Sequence, residues 1–243
     1  MKPTQIHSLL NNRKLWAIIP ASGTGSRFSK TALKQYQTIQ DQTVLEHTVT
    51  RINQLPLSGC VLAISANDHF AQTLKFEHQD KMHFCMGGAE RVNSVLNALS
   101  YLSDIADEND WVFVHDAARP CVSIESLENL IVYALQNNTH AILATPVRDT
   151  LKLVDSHGVI DRTVSRSQLW QAQTPQLSKL GLLKKSIEQA LENNVEITDE
   201  ASALEYTGEQ VSVVMGRSDN IKITYPEDLD LARLIIQSQN TML

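Results

Sequence analysis

Six short, almost wholly apolar runs set the strongest constraint on how this sequence can fold. They are Leu15–Ile19, Cys60–Ser65, His83–Met86, Trp111–His115, Ala141–Pro146 and Val211–Met215. Runs of this length without polar alternation are typical of strands buried on both faces of a parallel sheet. Segments with helical patterns lie between them, at Val44–Leu55, Arg91–Leu102, Ile124–Gln136, Lys179–Glu192 and Glu227–Ser238. Because such helices can supply the crossover connections, the sequence predicts an α/β fold with a doubly wound, mostly parallel sheet.

Size and charge narrow the class of protein. The chain has 243 residues, and we expect a single domain over residues 1–243. Its formal net charge of -6 argues against a nucleic-acid partner, because binding to a phosphate backbone needs many clustered Lys and Arg side chains. No apolar run approaches the roughly 20 residues that span a bilayer, and Met1–Lys14 lacks the apolar core of a secretory signal. We therefore expect a cytoplasmic protein without a membrane partner.

The first apolar run opens into a loop of small residues that is followed by two cations. The segment reads Pro20-Ala-Ser-Gly-Thr-Gly-Ser-Arg27. Where side chains are small or absent, backbone N–H groups can close on phosphate oxygens. Such residues here are Ala21, Ser22, Gly23 and Gly25. Because Arg27 and Lys34 supply positive charge, the loop predicts a polyphosphate site.

Two well-known phosphate-binding motifs do not fit this loop. A Walker loop needs a Gly-Lys-Ser/Thr triplet, which does not follow Gly23 and Gly25. A dinucleotide loop needs a third glycine where Phe28 stands, which argues against a Rossmann oxidoreductase. Strand, small-residue loop, arginine, spacer and lysine are instead typical of nucleotidyltransferases. The alternative is an ordinary strand-to-helix turn that happens to be basic.

An aspartate follows the run Trp111–His115, in the segment Val114-His-Asp-Ala-Ala-Arg-Pro120. Ligands of open α/β sheets bind outside the carboxyl ends of strands, where Asp116 would lie. Mg²⁺ is usually held by one or two carboxylates together with substrate phosphates. Asp116 is therefore the candidate metal ligand. The alternatives are that it caps the following turn or pairs structurally with Arg119.

Two further segments offer ligand contacts. Gly87 and Gly88 stand between a strand and a helix, where a backbone can approach a ligand closely, and the Ser94 hydroxyl could reach a base or sugar. Arg91 could pair with a phosphate or with a local carboxylate. Lys222 stands between two isoleucines in a strand-like pattern, which predicts a phosphate contact in the cleft or, alternatively, a solvent-facing lysine.

Residues at about 147–173 interrupt the alternation of strands and helices. Polar and apolar residues alternate on either side of Asp155-Ser-His-Gly158, which predicts a β-hairpin arm. One face of such an arm could be buried against a second copy of the chain, giving a homodimer. The alternative is a hairpin folded on its own domain.

Taken in order, the motifs point to one family. They are Pro20-Ala-Ser-Gly-Thr-Gly-Ser-Arg27, Lys34-Gln-Tyr, Gly87-Gly88 with Glu90-Arg91, Val114-His-Asp-Ala-Ala-Arg-Pro120, Pro146-Val-Arg-Asp-Thr150, Thr174-Pro-Gln, Ile197-Thr-Asp-Glu-Ala-Ser-Ala and Asp219-Asn-Ile-Lys222. This set resembles the 2-C-methyl-D-erythritol 4-phosphate cytidylyltransferases of isoprenoid biosynthesis, over the chain from Trp16 to about Ile235. The His-Asp-Ala-Ala-Arg-Pro and Thr-Asp-Glu-Ala-Ser-Ala motifs are specific to that enzyme and its close cytidylyltransferase relatives.

The resemblance implies a Rossmann-like nucleotidyltransferase fold and an Mg²⁺-dependent transfer of CMP from CTP to 2-C-methyl-D-erythritol 4-phosphate, with release of pyrophosphate. It assigns the nucleotide to Pro20, Ala21, Ser22, Gly23, Gly25, Gly87, Gly88, Arg91, Ser94, Asp116 and Ala117, with Asp116 also on the metal. It assigns the sugar phosphate to Arg119, Thr150, Arg166, Thr174, Thr198 and Lys222. Arg27, Lys34, Arg166 and Lys222 would be catalytic, as the cations that neutralise charge. In the family's dimer the arm, which carries Thr150, would complete the neighbouring subunit's site.

Three positions depart from the family pattern. Ser22 stands where alanine is more usual, and Ala89 where an acidic or polar residue is expected. Leu33 replaces the usual proline and so removes a turn constraint before Lys34.

Two rival functions remain at this point. One is a cytidylyltransferase for another polyol phosphate, such as ribitol 5-phosphate. The other is a non-catalytic nucleotide-binding protein, which would be expected to lack Asp116, Lys34 or Lys222, although all three are present.

Overall fold

The computed structural model describes residues 3–23, 28–29 and 33–241, and the structural statements below concern these residues. Two candidate site residues, Gly25 and Arg27, lie outside them.

A seven-stranded sheet forms the centre of the fold. In sheet order the strands are β11 (Val211–Met215), β7 (His140–Pro146), β10 (Trp170–Lys179), β6 (Trp111–Val114), β1 (Leu15–Pro20), β4 (Gly59–Ile64) and β5 (Met82–Met86). Strand β10 is antiparallel to β6 and β7, whereas the other neighbours pair in parallel. A two-stranded sheet of β2 (Thr38–Ile39) and β3 (Gln42–Thr43) lies apart from the central one.

Helices cover both faces of the sheet. They are α1 (Pro3–Leu10), α2 (Val44–Asn53), α3 (Arg91–Ser103), α4 (Ile124–Asn137), α5 (Leu180–Glu192), α6 (Glu200–Tyr206) and α7 (Glu227–Thr241). Along β1, Ala17 and Ile19 belong to the core shared with α1, α2 and α4, whereas Trp16 and Ile18 belong to the core shared with α3, α5 and α6. Since both faces are covered, both sets of side chains must be apolar, and this explains the unbroken apolar runs.

The predicted fold class is confirmed. Each of the six predicted strands and five predicted helices is present, with ends that differ by a few residues. The prediction that every strand is buried on both faces is wrong for the two edge strands, β5 and β11, which are partly exposed. An edge strand has a neighbour on one side only, and the sequence does not reveal which strands lie at the edge.

Strand β10, the short strands β2 and β3 and helix α1 were not predicted, and of helix α6 only the start was. Strand β10 has the sequence Trp-Gln-Ala-Gln-Thr-Pro-Gln-Leu-Ser-Lys, which lacks a clear apolar pattern. Its pairing with β7 shifts register between Ala172 and Gln176, around the cis Thr174–Pro175 peptide bond. The strand-like segment around Lys222 is not a strand, because residues 221–224 have no regular structure.

The predicted hairpin is confirmed. Strand β8 (Leu151–Val154) pairs in antiparallel fashion with β9 (Ile160–Val164), in a sheet of its own. In the turn, the Asp155 carboxylate accepts the N–H groups of His157 and Val159, each at 2.9 Å. The arm presents apolar side chains to solvent, since Val159 is 63% exposed and Ile160 58%. Among the described residues, no helix is both long and apolar enough to cross a membrane.

Candidate active site

Two adjoining pockets lie at the carboxyl ends of β1 and β6, where the sequence predicts a ligand site. The first pocket is lined by these predicted residues: Pro20, Ala21, Ser22, Gly23, Lys34, Arg91, Ser94, Asp116, Ala117 and Lys222. The second pocket is lined by the predicted residues Arg91, Asp116, Arg119, Thr174, Thr198 and Lys222 and also by Ala172, Gln173, Gln176 and Asp199, which were not predicted as site residues. Arg91, Asp116 and Lys222 line both pockets, and therefore form the wall between them.

The structure does not bring every predicted residue to these pockets. Thr150 and Arg166 are exposed on and beside the arm and line neither of them. Gly87 and Gly88 lie behind the first pocket, packed against Ser22 and Asn93.

The Asp116 carboxylate is the centre of the wall. It is 6% exposed and lies just after β6. Its Oδ1 accepts from Arg91 Nε at 2.9 Å, and its Oδ2 lies 2.8 Å from Lys222 Nζ and 3.5 Å from Arg119 Nε. Burial alone would raise the pKa of Asp116, but the three cations outweigh burial and hold this pKa well below its usual range. The carboxylate is therefore ionised throughout the neutral pH range.

Arg91 is held by carboxylates on two sides. Its Nη1 and Nη2 donate to the two carboxylate oxygens of Glu200, at 2.6 and 3.1 Å, while its Nε donates to Asp116. Burial works against the charged form of Arg91, but Glu200 and Asp116 more than offset burial and raise its pKa. Of the two interpretations of Arg91, the pairing with local carboxylates is present in the structure, and its contact with the nucleotide stays a prediction.

Arg119 and Lys222 reach the wall from different segments. Arg119 Nη1 donates to the Asn220 carbonyl at 2.7 Å, and its buried Nε has no hydrogen-bond partner among the described residues. Burial lowers the pKa of Arg119, and Asp116 opposes that shift. Lys222 lies in a loop rather than in a strand. Its ammonium contacts Asp116, so it is not simply a solvent-facing lysine.

His115 supports Asp116 from within the protein. The Asp116 N–H donates to Thr174 Oγ1 at 3.0 Å, and the same hydroxyl lies 3.0 Å from His115 Nδ1. The Arg119 carbonyl, 3.1 Å from His115 Nε2, can only accept, so Nε2 carries the hydrogen and donates to it. Nδ1 of the neutral ring is therefore an acceptor, and the Thr174 hydroxyl donates to it. Complete burial lowers the pKa of His115 to about 4, so the ring is neutral at pH 7.

Ser22 and Ser94, which both line the first pocket, join the small-residue loop to helix α3. Their hydroxyl oxygens lie 2.7 Å apart, and Ser94 Oγ also accepts from the Gly88 N–H at 3.0 Å. A Cβ atom on Gly87 would lie 2.4 Å from Ser22 Cβ, so this approach requires glycine. Ser22, the departure from the usual alanine, thus adds a hydrogen bond. The contact of Ser94 with base or ribose stays a prediction.

The turn that carries Lys34 is fixed without the usual proline. Leu33 has φ -75° and ψ 124°, a backbone conformation that proline would also adopt. Gln35 Nε2 donates to the Ala21 carbonyl at 3.0 Å, and the Tyr36 hydroxyl donates to Asp68. These bonds hold the turn against the small-residue loop, and Lys34 Nζ donates to the Ile223 carbonyl at 3.0 Å.

The donor set suits Mg²⁺ better than a metal held by protein ligands alone. In the described part of the chain, no three His, Cys, Asp or Glu side chains are grouped to hold a metal ion. Asp116 offers a single hard-oxygen ligand, and a carboxylate has about four lone-pair sites, so its present contacts leave room for a further one. One carboxylate with substrate phosphates is a common Mg²⁺ arrangement, and the residues therefore fit this ion.

Sequence reasoning missed Glu200, Gln35 and the Tyr36–Asp68 pair. Glu200 follows Asp199, which caps α6 by accepting the Ser202 N–H at 2.9 Å. Acidic residues are common at a helix start, so the sequence offers no reason to assign Glu200 a role in the site. The sequence pattern Thr198-Asp-Glu predicts Thr198 as the cap with both acids in the first turn, but the cap is Asp199, one residue later. Glu200 is only 3% exposed, but nothing in a single sequence marks a helix-start glutamate as buried.

Comparison with known proteins gives one consistent result. A family model described as 2-C-methyl-D-erythritol 4-phosphate cytidylyltransferase matches residues 15–238. The protein of that name from Acinetobacter baumannii (strain AYE) is 68% identical over 235 residues, which are 97% of this chain and 99% of the relative. Its counterpart from Acinetobacter baylyi is 63% identical over 241 residues, 99% of this chain and 100% of the relative. The crystal structure of the Francisella tularensis protein of that name aligns with a TM-score of 0.78 and 39% identity, covering 91% of this chain and 99% of that chain.

The neutral, buried His115 predicts a loss of stability in mild acid. The unfolded chain binds a proton on this residue below its usual pKa of 6.5, whereas the folded chain does so only near 4. The free energy of unfolding should therefore fall by up to about 3 kcal/mol through His115 as the pH drops across this range. His115→Gln lacks this titration, so the stability difference between wild type and variant should narrow from pH 7 to pH 4.5 in urea unfolding. His157→Gln, in the exposed turn of the arm, is the control; a constant difference for His115→Gln would contradict the assignment.

Proposed function

The chain belongs to the family of 2-C-methyl-D-erythritol 4-phosphate cytidylyltransferases, and we propose that its two pockets carry out the reaction of that family. The enzyme transfers CMP from CTP to 2-C-methyl-D-erythritol 4-phosphate in the non-mevalonate route to isoprenoid precursors, giving 4-diphosphocytidyl-2-C-methyl-D-erythritol and pyrophosphate. An oxygen of the acceptor phosphate attacks the α-phosphorus of CTP, and the bond from this phosphorus to the bridging oxygen of the pyrophosphate breaks.

The observation that carries the proposal is the shared wall of the two pockets. Asp116 and two of its cations, Arg91 and Lys222, line both pockets. An anionic donor in one pocket and an anionic acceptor in the other would meet across these cations. We propose that CTP occupies the first pocket and the acceptor the second, with the α-phosphate at the wall.

On the nucleotide side, backbone N–H groups of Ser22 and Gly23 would hold phosphate oxygens, as small residues permit. The N–H of Ala21 donates to the Ala63 carbonyl at 2.8 Å, so Ala21 would contribute its position in the pocket lining rather than a donor. Lys34 reaches the same pocket from the turn before β2, and its ammonium would stabilise charge on the α-phosphate. Arg27 is proposed as its partner. Ala89 lines the first pocket and would offer only its backbone to the base, because it has no polar side chain. The N–H of Gly88 donates to Ser94 Oγ, so the proposed contact of Gly88 with the base would be made through its carbonyl.

On the acceptor side, the protein needs no general base. A phosphate monoester has a second pKa of about 6 and is therefore largely dianionic at neutral pH. The task is to hold two anions in line and to neutralise their charge, which is the work of positioned cations. Arg119, whose Nε has only the 3.5 Å ion-pair contact with Asp116, and Lys222 would contact the acceptor phosphate, together with Thr198. Thr174 lines the same pocket, but its hydroxyl is bonded to the Asp116 N–H and to His115, so it would shape the acceptor site rather than donate to the phosphate.

Asp116 would hold Mg²⁺ together with phosphate oxygens of CTP. When bound, the ion supplies further positive charge to the triphosphate. The protein's own contribution is to keep the Asp116 carboxylate ionised and in a fixed place.

Measuring pyrophosphate release tests the function directly. With Mg²⁺, we expect kcat/KM to be highest for CTP and 2-C-methyl-D-erythritol 4-phosphate, and far lower with each other nucleoside triphosphate or with ribitol 5-phosphate. A higher value with ribitol 5-phosphate would identify a cytidylyltransferase for that acceptor. No pyrophosphate release with any combination would favour a non-catalytic nucleotide-binding protein.

The role of Lys34 predicts a separation between turnover and binding. Lys34→Ala, and likewise Arg27→Ala, should lower kcat by on the order of 100-fold or more, since the lost charge acts mainly on the transition state. The KM for CTP should change far less. Lys75→Ala, which removes an exposed lysine, is the control. An unchanged kcat with a raised KM for CTP would contradict a catalytic role.

We also propose a cytoplasmic, single-domain chain that forms a homodimer through the arm. The exposed Val159 and Ile160 would be buried against a second copy, and burial of such apolar side chains favours association. Thr150 and Arg166, which line neither pocket of their own chain, would then complete the neighbouring subunit's second pocket.

Mixing two inactive variants tests this arrangement. If Arg166 acts in the neighbouring site, a heterodimer of Arg166→Ala and Lys34→Ala chains has one intact site, and mixing should restore about a quarter of wild-type activity. Each variant alone should stay inactive, and light scattering should report twice the mass of one chain. No recovery in subunits that demonstrably exchange would place Arg166 in its own chain's site or outside both.

A further inference from the structure

A buried carboxylate outside both pockets is joined to their shared wall. Glu200 is the first residue of α6 and is 3% exposed. Its two oxygens accept two separate N–H groups of Arg91, at 2.6 and 3.1 Å. Such a two-point pair fixes the orientation of the guanidinium as well as its charge. Glu200 itself lines neither pocket.

The orientation of Arg91 matters because a third N–H group points the other way. With Nη1 and Nη2 on Glu200, Nε is directed to Asp116 Oδ1 at 2.9 Å. If Glu200 were neutral, the fork of Arg91 would be free to turn onto Asp116 and compete there with Lys222. A buried charge that loses its partner is destabilising, and this favours a rearrangement of the side chain that gives it a new partner.

Strand β10 in turn fixes the position of Glu200. Gln176 Oε1 accepts the N–H of Ala201 at 2.9 Å, and Gln176 Nε2 donates to Asp199 Oδ2 at 2.9 Å. The start of α6 is therefore tied to a central strand of the sheet. A rigid chain of contacts runs from β10 through Glu200 and Arg91 to Asp116.

We propose that Glu200 is a positioning residue for CMP transfer, which acts by holding Arg91 so that Asp116 and Lys222 keep their places in the wall. This inference rests on the proposed role of Asp116. Glu200 acts through Arg91 alone, and its charge matters more than its shape.

The test begins with Glu200→Gln, which keeps the shape of the side chain and removes its charge. We expect kcat to fall by about tenfold or more, as is usual when a partner that orients a ligand residue is removed, with little change in the Kd of CTP measured by calorimetry. Glu200→Asp keeps the charge and should recover part of the loss. Glu205→Gln, at an exposed position of the same helix, should behave as wild type.

A double-mutant cycle separates positioning from a general structural role. In an Arg91→Gln background, Glu200→Gln should cause no further fall in kcat, because Glu200 has no guanidinium left to hold. An equal fall in both backgrounds, or no fall in the wild-type background, would overturn the proposal. If Glu200→Gln fails to fold, as judged by circular dichroism, the same cycle with Glu200→Asp decides the question.

Asp116→Asn distinguishes this inference from the proposed function. Wild-type turnover in Asp116→Asn would refute the role of Asp116 on which both depend. Loss of turnover in Asp116→Asn, together with equal effects of Glu200→Gln in both backgrounds, would refute only the role of Glu200.

Discussion

The buried charge of Asp116 is the interaction on which the site depends. A buried, ionised carboxylate destabilises the fold unless it is paired. The three cations that pair with Asp116 come from separate parts of the chain. Arg91 begins α3, Arg119 follows β6, and Lys222 lies in the segment before α7. One ionised group thus draws these segments to one end of the sheet. With three cations facing the two carboxylates of Asp116 and Glu200, the wall keeps an excess of positive charge for anionic substrates.

The neutral network beneath Asp116 complements this charge. Thr174 and His115 hold the backbone on either side of the carboxylate: the Thr174 hydroxyl accepts from the Asp116 N–H and donates to His115, and His115 donates to the Arg119 carbonyl. Their geometry is set before any substrate arrives. Electrostatic stabilisation is strong when the dipoles and charges need not reorganise during the reaction, and a buried, neutral network under a fixed carboxylate meets that condition.

The fold and much of the candidate site could be predicted from the sequence because local residue patterns indicate both. Apolar runs identify strands that are covered on both faces, and Asp116 and the small-residue loop follow such runs directly. Strand β10 escaped because its polar residues and Pro175 hide the period of a strand. Glu200 escaped because its importance arises from a partner 109 residues away, and an acidic helix start already has a local explanation.

Leu33 has a consequence beyond the placement of Lys34. A proline at this position would stiffen the unfolded chain and so reduce the entropy lost when the turn forms. Leucine reaches the same backbone angles without that help, and the turn is ordered instead by the bonds of Gln35 and Tyr36. Its order is therefore enthalpic, and it weakens as temperature rises while the sheet beneath it persists. Lys34 is thus carried by a turn that depends on side-chain hydrogen bonds rather than on a stiff backbone.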